Sequence, residues 1–118
     1  MKYLCLIYVD EEEAERLADR ELRALEHEHL EYHDTLRRKG HFIAAEALQP
    51  VESSTTIRVR NGKLSVTDGP FMETREQMGG LFLIEARDLN EAILVASKIP
   101  CARLGTVEVR PVRELQAV

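Results

Sequence analysis

Two short segments of this chain are apolar at every position: Leu4-Cys5-Leu6-Ile7-Tyr8-Val9 and Leu81-Phe82-Leu83-Ile84. Successive side chains of a strand point to opposite faces, so a strand with one solvated face alternates apolar and polar residues. An unbroken apolar run of strand length has both faces covered. The sequence therefore supplies two central strands, and the remaining elements must be arranged around them.

Lys2 to Val9 carries the aromatic and β-branched residues of a strand. The acidic run Asp10-Glu11-Glu12-Glu13 is expected as a solvated turn. Leu22, Leu25, His29, Tyr32 and Leu36 then step by three, four, three and four, which is one face of a helix. Arg37, Arg38 and Lys39 suit the negative end of its dipole, and Gly40 suits the position just past it. His41 to Leu48 reads as a strand broken by Gln49-Pro50. Thr55 to Arg60 and Lys63 to Val66 flank Asn61-Gly62, the dipeptide of a type I′ hairpin turn. Gly79-Gly80 precedes the strand Leu81 to Ala86. Asp88 and Glu91 start a second helix with Leu89, Ala92, Ile93 and Ala96 on one face, ending near Pro100. Thr106 to Val112 alternates as an edge strand does.

With the hairpin set aside, the order is βαββαβ, the split arrangement of α+β ferredoxin-like folds. A chain of 118 residues supports one domain, residues 1–118. Two helices cover one face of such a sheet. The other face is expected to be covered by a second copy, giving a homodimer packed sheet to sheet. The alternative is cover by the chain's own 49–66 segment. The net charge, 16 − 21 = −5, argues against a nucleic-acid partner. No apolar run approaches the ~20 residues of a membrane span, and Met1-Lys2-Tyr3 runs straight into a strand with no secretory pattern. Cys5 and Cys101 form no CxxC, so two free thiols in a reducing, cytoplasmic compartment are expected.

The four histidines fall between positions 27 and 41. His29 lies on the apolar stripe of the first helix. It is either a hydrogen-bonded core residue or a general acid or base, since imidazole titrates near neutrality. His29 and His33 have the spacing of helical metal ligands, but Leu30 stands where the HExxH motif needs Glu and nothing obvious completes a set. Neither metal nor cofactor is expected. No glycine-rich phosphate loop and no GxSxG is present. The loop from Val66 to Gly80 contains Asp68-Gly69-Pro70-Phe71, with Pro70 expected to bias Gly69 towards extended geometry and Phe71 to pin the loop into the core. Asp68 then stands at a rigid position, either presented to a site or capping its own turn. Thr74 and Glu76 are expected to line a mouth. Arg58 and Arg60 share one face of the hairpin, where they bind an anionic group or are simply solvated.

Asp68 to Gly80, DGPFMETREQMGG, resembles the signature of the YCII-related proteins of the DGPF group, whose form is close to DGPFAETKEQLGG. Met72, Arg75 and Met78 are the mild departures. The resemblance extends through Glu46 to Pro50, Thr55 to Arg60 and Gly105 to Val112, and so covers essentially the whole chain. It implies a dimeric α+β barrel and an active-site His–Asp pair. His29-Leu30 matches the family's His-Leu context, and Asp68 is the acid most naturally carried over. Relatives on this fold include isomerases, dehydrohalogenases and monooxygenases, and DGPF proteins are associated with extracytoplasmic-function sigma factors. The resulting expectation is a cofactor-free enzyme using His29 and Asp68 for acid/base chemistry on a small polar organic molecule. Arg58, Thr74 and Glu76 would bind that substrate. The rival expectation is a non-enzymatic ligand-binding or regulatory module with a protein partner.

Overall fold

The structure, a computed structural model, describes residues 1–117. Its elements are β1 (Lys2–Asp10), α1 (Glu11–Glu15), α2 (Asp19–Arg38), β2 (Phe42–Ala47), β3 (Thr55–Arg60), β4 (Lys63–Asp68), β5 (Glu76–Glu85), α3 (Leu89–Ser97) and β6 (Thr106–Pro111). The main sheet has the order β2-β5-β1-β6, and every pairing in it is antiparallel. This is the strand order of a ferredoxin-like α+β fold, with the two all-apolar segments at its centre.

One face of the sheet carries Tyr3, Cys5, Ile7, Phe82 and Ile84, all buried beneath the helices. Leu36 of α2 and Ala92, Val95 and Ala96 of α3 close this core. Tyr32 ties the two helices together by donating its hydroxyl to the Val95 carbonyl at 2.6 Å. The opposite face presents Leu4, Leu6, Leu81 and Leu83, which pair across the ladders and stay only half-buried.

β3 and β4 form a separate two-stranded ribbon. Its turn is the expected one, with φ of 53° at Asn61 and 75° at Gly62. The ribbon does not lie on the main sheet: Ile57, Val59, Leu64 and Val66 are 58–63% exposed. Self-cover by the 49–66 segment is therefore absent from the protomer.

Several local expectations are corrected. The acidic run is not a turn but α1. Asp10 caps it by accepting from the Glu12 and Glu13 amides at 3.0 and 3.4 Å, and Glu11 to Glu13 suit its positive end. Gly79-Gly80 lies inside β5 rather than before it, because β5 begins at Glu76. Ile7 pairs with Gly80 and Tyr8 with Met78, so Gly79 is the extra residue of a β-bulge. α3 buries Ala92, Val95 and Ala96, while Leu89 and Ile93 are exposed at 47% and 48%. Small residues there let the helix approach the sheet closely, and this turns its larger side chains outward.

Candidate functional site

Between α2 and the β2–β5–β1 part of the sheet lies a cavity of about 340 Å³. Leu22, Leu25, His29 and His33 descend from the helix, and Ile7, Val9, Ala45 and Phe82 rise from the sheet. The floor is shaped by glycine. A Cβ on Gly80 would stand 2.9 Å from the Glu46 carbonyl oxygen, and one on Gly79 would meet Val9 Cγ2 at 3.0 Å. The bulge at Gly79 thus keeps the two strands close while leaving their helix-facing side open. In the sequence Gly79-Gly80 stands out only as the dipeptide that precedes a strand. Its place in the cavity follows from strand register, which a local motif does not carry.

The cavity is mostly hydrocarbon with a few polar groups, the usual make-up of a small-molecule site. That lining is more apolar than the polar ligand expected from the sequence. Its polar groups are His29, His33, Glu26 and Cys101, joined by the Glu46 strand. Both cysteines are free thiols. Burial raises the Cys5 thiol to about 11 and pushes Cys101 upward as well. Each is therefore a neutral thiol at neutral pH rather than a nucleophile.

His29 is half-buried on the helical stripe where the periodicity places it. Its Nδ1 lies 2.9 Å from the Leu25 carbonyl oxygen. A carbonyl oxygen only accepts, so Nδ1 carries the hydrogen and the neutral ring keeps its lone pair on Nε2. Among the described residues, Nε2 has no protein partner. A backbone carbonyl one turn back thus fixes this ring's tautomer, the task that a carboxylate performs in many dyads.

One turn further on, His33 sits edge-on to Phe82 with ring centroids 5.1 Å apart and also 5.2 Å from Phe42. The Arg37 guanidinium lies over the Phe42 ring, 4.4 Å from its centroid. Burial, then the neighbouring His29 and the Arg37 guanidinium, push the His33 imidazole below its usual range. The folded state thus binds this proton less readily than the unfolded chain. The stability gained from keeping His33 neutral is complete above the ordinary histidine pKa of about 6.5. It declines as pH falls through that value towards the lower folded one. We expect the His33→Gln variant to lose part of the acid-side decline in melting temperature between pH 7 and pH 5. An unchanged decline would show that His33 titrates as it does when unfolded.

The other expected site residues stand elsewhere in the protomer. Asp68 ends β4 opposite Thr55 and is exposed on the ribbon. It does not meet His29, nor does its carboxylate cap the turn with a hydrogen bond among the described residues. Gly69 is not extended but has φ of 100°, a left-handed geometry open to glycine that also avoids the helical region Pro70 disfavours. Phe71 is not pinned in the core. It is 66% exposed, with the Arg58 guanidinium 5.0 Å from its ring centroid. Thr74 donates to the Glu76 carbonyl at 2.7 Å, and the Glu76 carboxylate accepts from Thr106 at 2.8 Å. Neither residue lines the cavity. Arg75 donates to Asp10 at 2.9 Å, which ties this loop to α1 and holds the Asp10 carboxyl below its ordinary range. The segment's polar residues are therefore largely occupied in fixing the loop. Among the described residues, no three His, Cys, Asp or Glu side chains are placed to hold a metal ion, and no helix is long and apolar enough to cross a membrane.

A family model described as the YCII-related domain matches residues 1–116. The chain is also 35% identical over 121 aligned residues to an uncharacterized protein of Rhizobium meliloti (strain 1021), covering 94% of this chain and 91% of that protein.

Proposed function

The chain belongs to the YCII-related family, and we propose that it is a small acid/base enzyme working in the cavity beneath α2. One observation carries this reading: the Nδ1 hydrogen of His29 is committed to Leu25, which leaves Nε2 as the basic atom of a ring that lines the cavity. The ligand that fits has a mainly apolar body and one acidic C–H or O–H for Nε2 to remove. The chemistry is proton transfer, with isomerisation or elimination as its outcomes. No cofactor takes part.

Asp68 enters this reading only if a second copy brings it to the cavity, and Arg58, Thr74 and Glu76 likewise. The second copy itself is the homodimer proposed from the sequence, packed through the leucine face of the main sheet as a dimeric α+β barrel. The half-buried Leu4, Leu6, Leu81 and Leu83 support it. The two free thiols favour a reducing, cytoplasmic setting.

The test screens enolisable ketones with hydrocarbon bodies by thermal shift, then follows loss of their α C–H signals by proton NMR in D2O. Compounds that stabilise the protein are expected to exchange that hydrogen faster with native protein than with His29→Gln. Binding without any exchange would instead favour the non-enzymatic ligand-binding module, including its regulatory link to an extracytoplasmic-function sigma factor. Absence of binding across the panel would overturn the cavity as a site for ligands of this class.

A further inference from the structure

The β3–β4 ribbon is amphipathic across its two faces. Ile57 pairs with Val66 and Val59 with Leu64, so one face is four apolar side chains. Arg58, Arg60 and Lys63 occupy the other with Ser65, Thr56 and Thr67. A lone two-stranded hairpin is at best marginally stable in water. This one nevertheless stands clear of its own body with its apolar face bare. The radius of gyration is 16.3 Å, against about 13.5 Å for a compact chain of this length.

We propose that the ribbon is a clasp that lays its apolar face on a second copy of this chain. The proposal builds on the sheet-to-sheet dimer put forward above but rests on different residues.

Two arguments choose the occupant. The first is area. With strands about 4.8 Å apart and residues about 3.3 Å along, four strands of six residues present roughly 400 Å² in plan. A stable interface takes about 800 Å² from each partner. The ribbon adds roughly 200 Å² in plan, and side-chain relief raises both figures. In plan the sheet face supplies about half of that figure, and the ribbon is a further bare apolar surface, with Ile57, Val59, Leu64 and Val66 all exposed.

The second argument is charge. Residues 55–68 carry Arg58, Arg60 and Lys63 against Asp68, a net of 3 − 1 = +2, so the rest of the chain carries −5 − 2 = −7. Two bodies of that charge repel each other, whereas the arm of one is drawn to the body of the other. The acidic run Asp10 to Glu13 is the densest negative stretch of that body.

The experiment is sedimentation equilibrium on the full chain across low to tens of micromolar, for native protein, Ile57→Glu/Val66→Glu and Leu83→Glu. Circular dichroism confirms that each variant folds. Because the arm is not packed on its own body, its variant should keep a native melting profile for the protomer. Native protein is expected near 2 × 13.5 = 27 kDa. The arm variant should raise the dissociation constant by about 100-fold or more. Hydrogen exchange gives a reading without mutation: amides of the arm should lose protection as native protein is diluted through dissociation.

An arm variant that dimerises within threefold of native, while Leu83→Glu dissociates, overturns the clasp and leaves the sheet interface standing. Dissociation of the arm variant alone upholds the clasp and overturns the sheet packing. Native protein near 13.5 kDa throughout overturns both.

Discussion

Gly105→Ala is expected to destabilise the protein by at least about 3 kcal/mol. Gly105 lies just before β6, where the chain passes against the edge of β1. A Cβ built on it would overlap the Tyr8 carbonyl oxygen and crowd Val9 Cγ1 at 3.2 Å. The obstructing atom is backbone on a central strand, so no rotamer change relieves it. Either β6 moves off β1, which breaks the ladder from Tyr3–Pro111 to Tyr8–Thr106, or β1 bends and disturbs the floor of the cavity. The melting temperature should fall by more than about 10 °C. A change under about 1 kcal/mol would mean that β6 enters the sheet by a different path. Gly80→Ala meets the Glu46 carbonyl oxygen instead, and should cost about 1–3 kcal/mol by the same measurement.

His29→Gln should leave the fold intact and remove catalysis. The ring makes one local hydrogen bond, whose net worth is about 0.5–1.5 kcal/mol, so the melting temperature should shift only slightly. Glutamine fills similar space and still offers a donor, but it cannot take a proton. Removing a general base lowers rates by about 10²–10⁴-fold. The expected loss therefore falls on the exchange rate of the acidic hydrogen, while the affinity of the bound compound stays within a few-fold of native. His33→Gln is the control on the same helix face. Its imidazole packs edge-on to Phe82 and tilted against Phe42, so we expect a small effect on exchange. Equal losses in the two variants would remove His29 from its role. Leu25 takes part only by positioning that ring through its carbonyl.

Much of the architecture was legible because it depends on periodicity. The runs at Leu4 to Val9 and Leu81 to Ile84 name the central strands, and the spacing from Leu22 to Leu36 orients α2 with His29 towards the sheet. Asn61-Gly62 fixes its turn because both residues need positive φ. Features that depend on register were not legible. The bulge at Gly79 and the early start of β5 arise from pairing with β1, which no local pattern in residues 68–80 reveals. The α3 face was misread because Leu89 and Ile93 look like core residues by hydropathy. What decides that face is how closely small side chains let the helix approach.

For the site, sequence located the imidazole but not what holds it. The loop carrying the family signature is well ordered by local bonds, such as Gln77 Nε2 donating to the Met72 and Thr74 carbonyls at 2.8 and 3.2 Å. In this protomer those residues tie the loop to itself and, through Arg75 and Asp10, to α1. His29 is served by Leu25, four residues back on its own helix. That partner is a main-chain atom, invisible to any reading of side-chain types.

The most direct measurement is the tautomer of His29, read by long-range nitrogen–proton NMR on uniformly labelled protein above pH 7. The expected spectrum shows Nδ1 protonated and Nε2 bare, with the Nε2 shift moving when a cavity ligand is added. A ring protonated on Nε2, with its lone pair on Nδ1, would contradict the bond to Leu25 and leave the cavity without the base proposed for it.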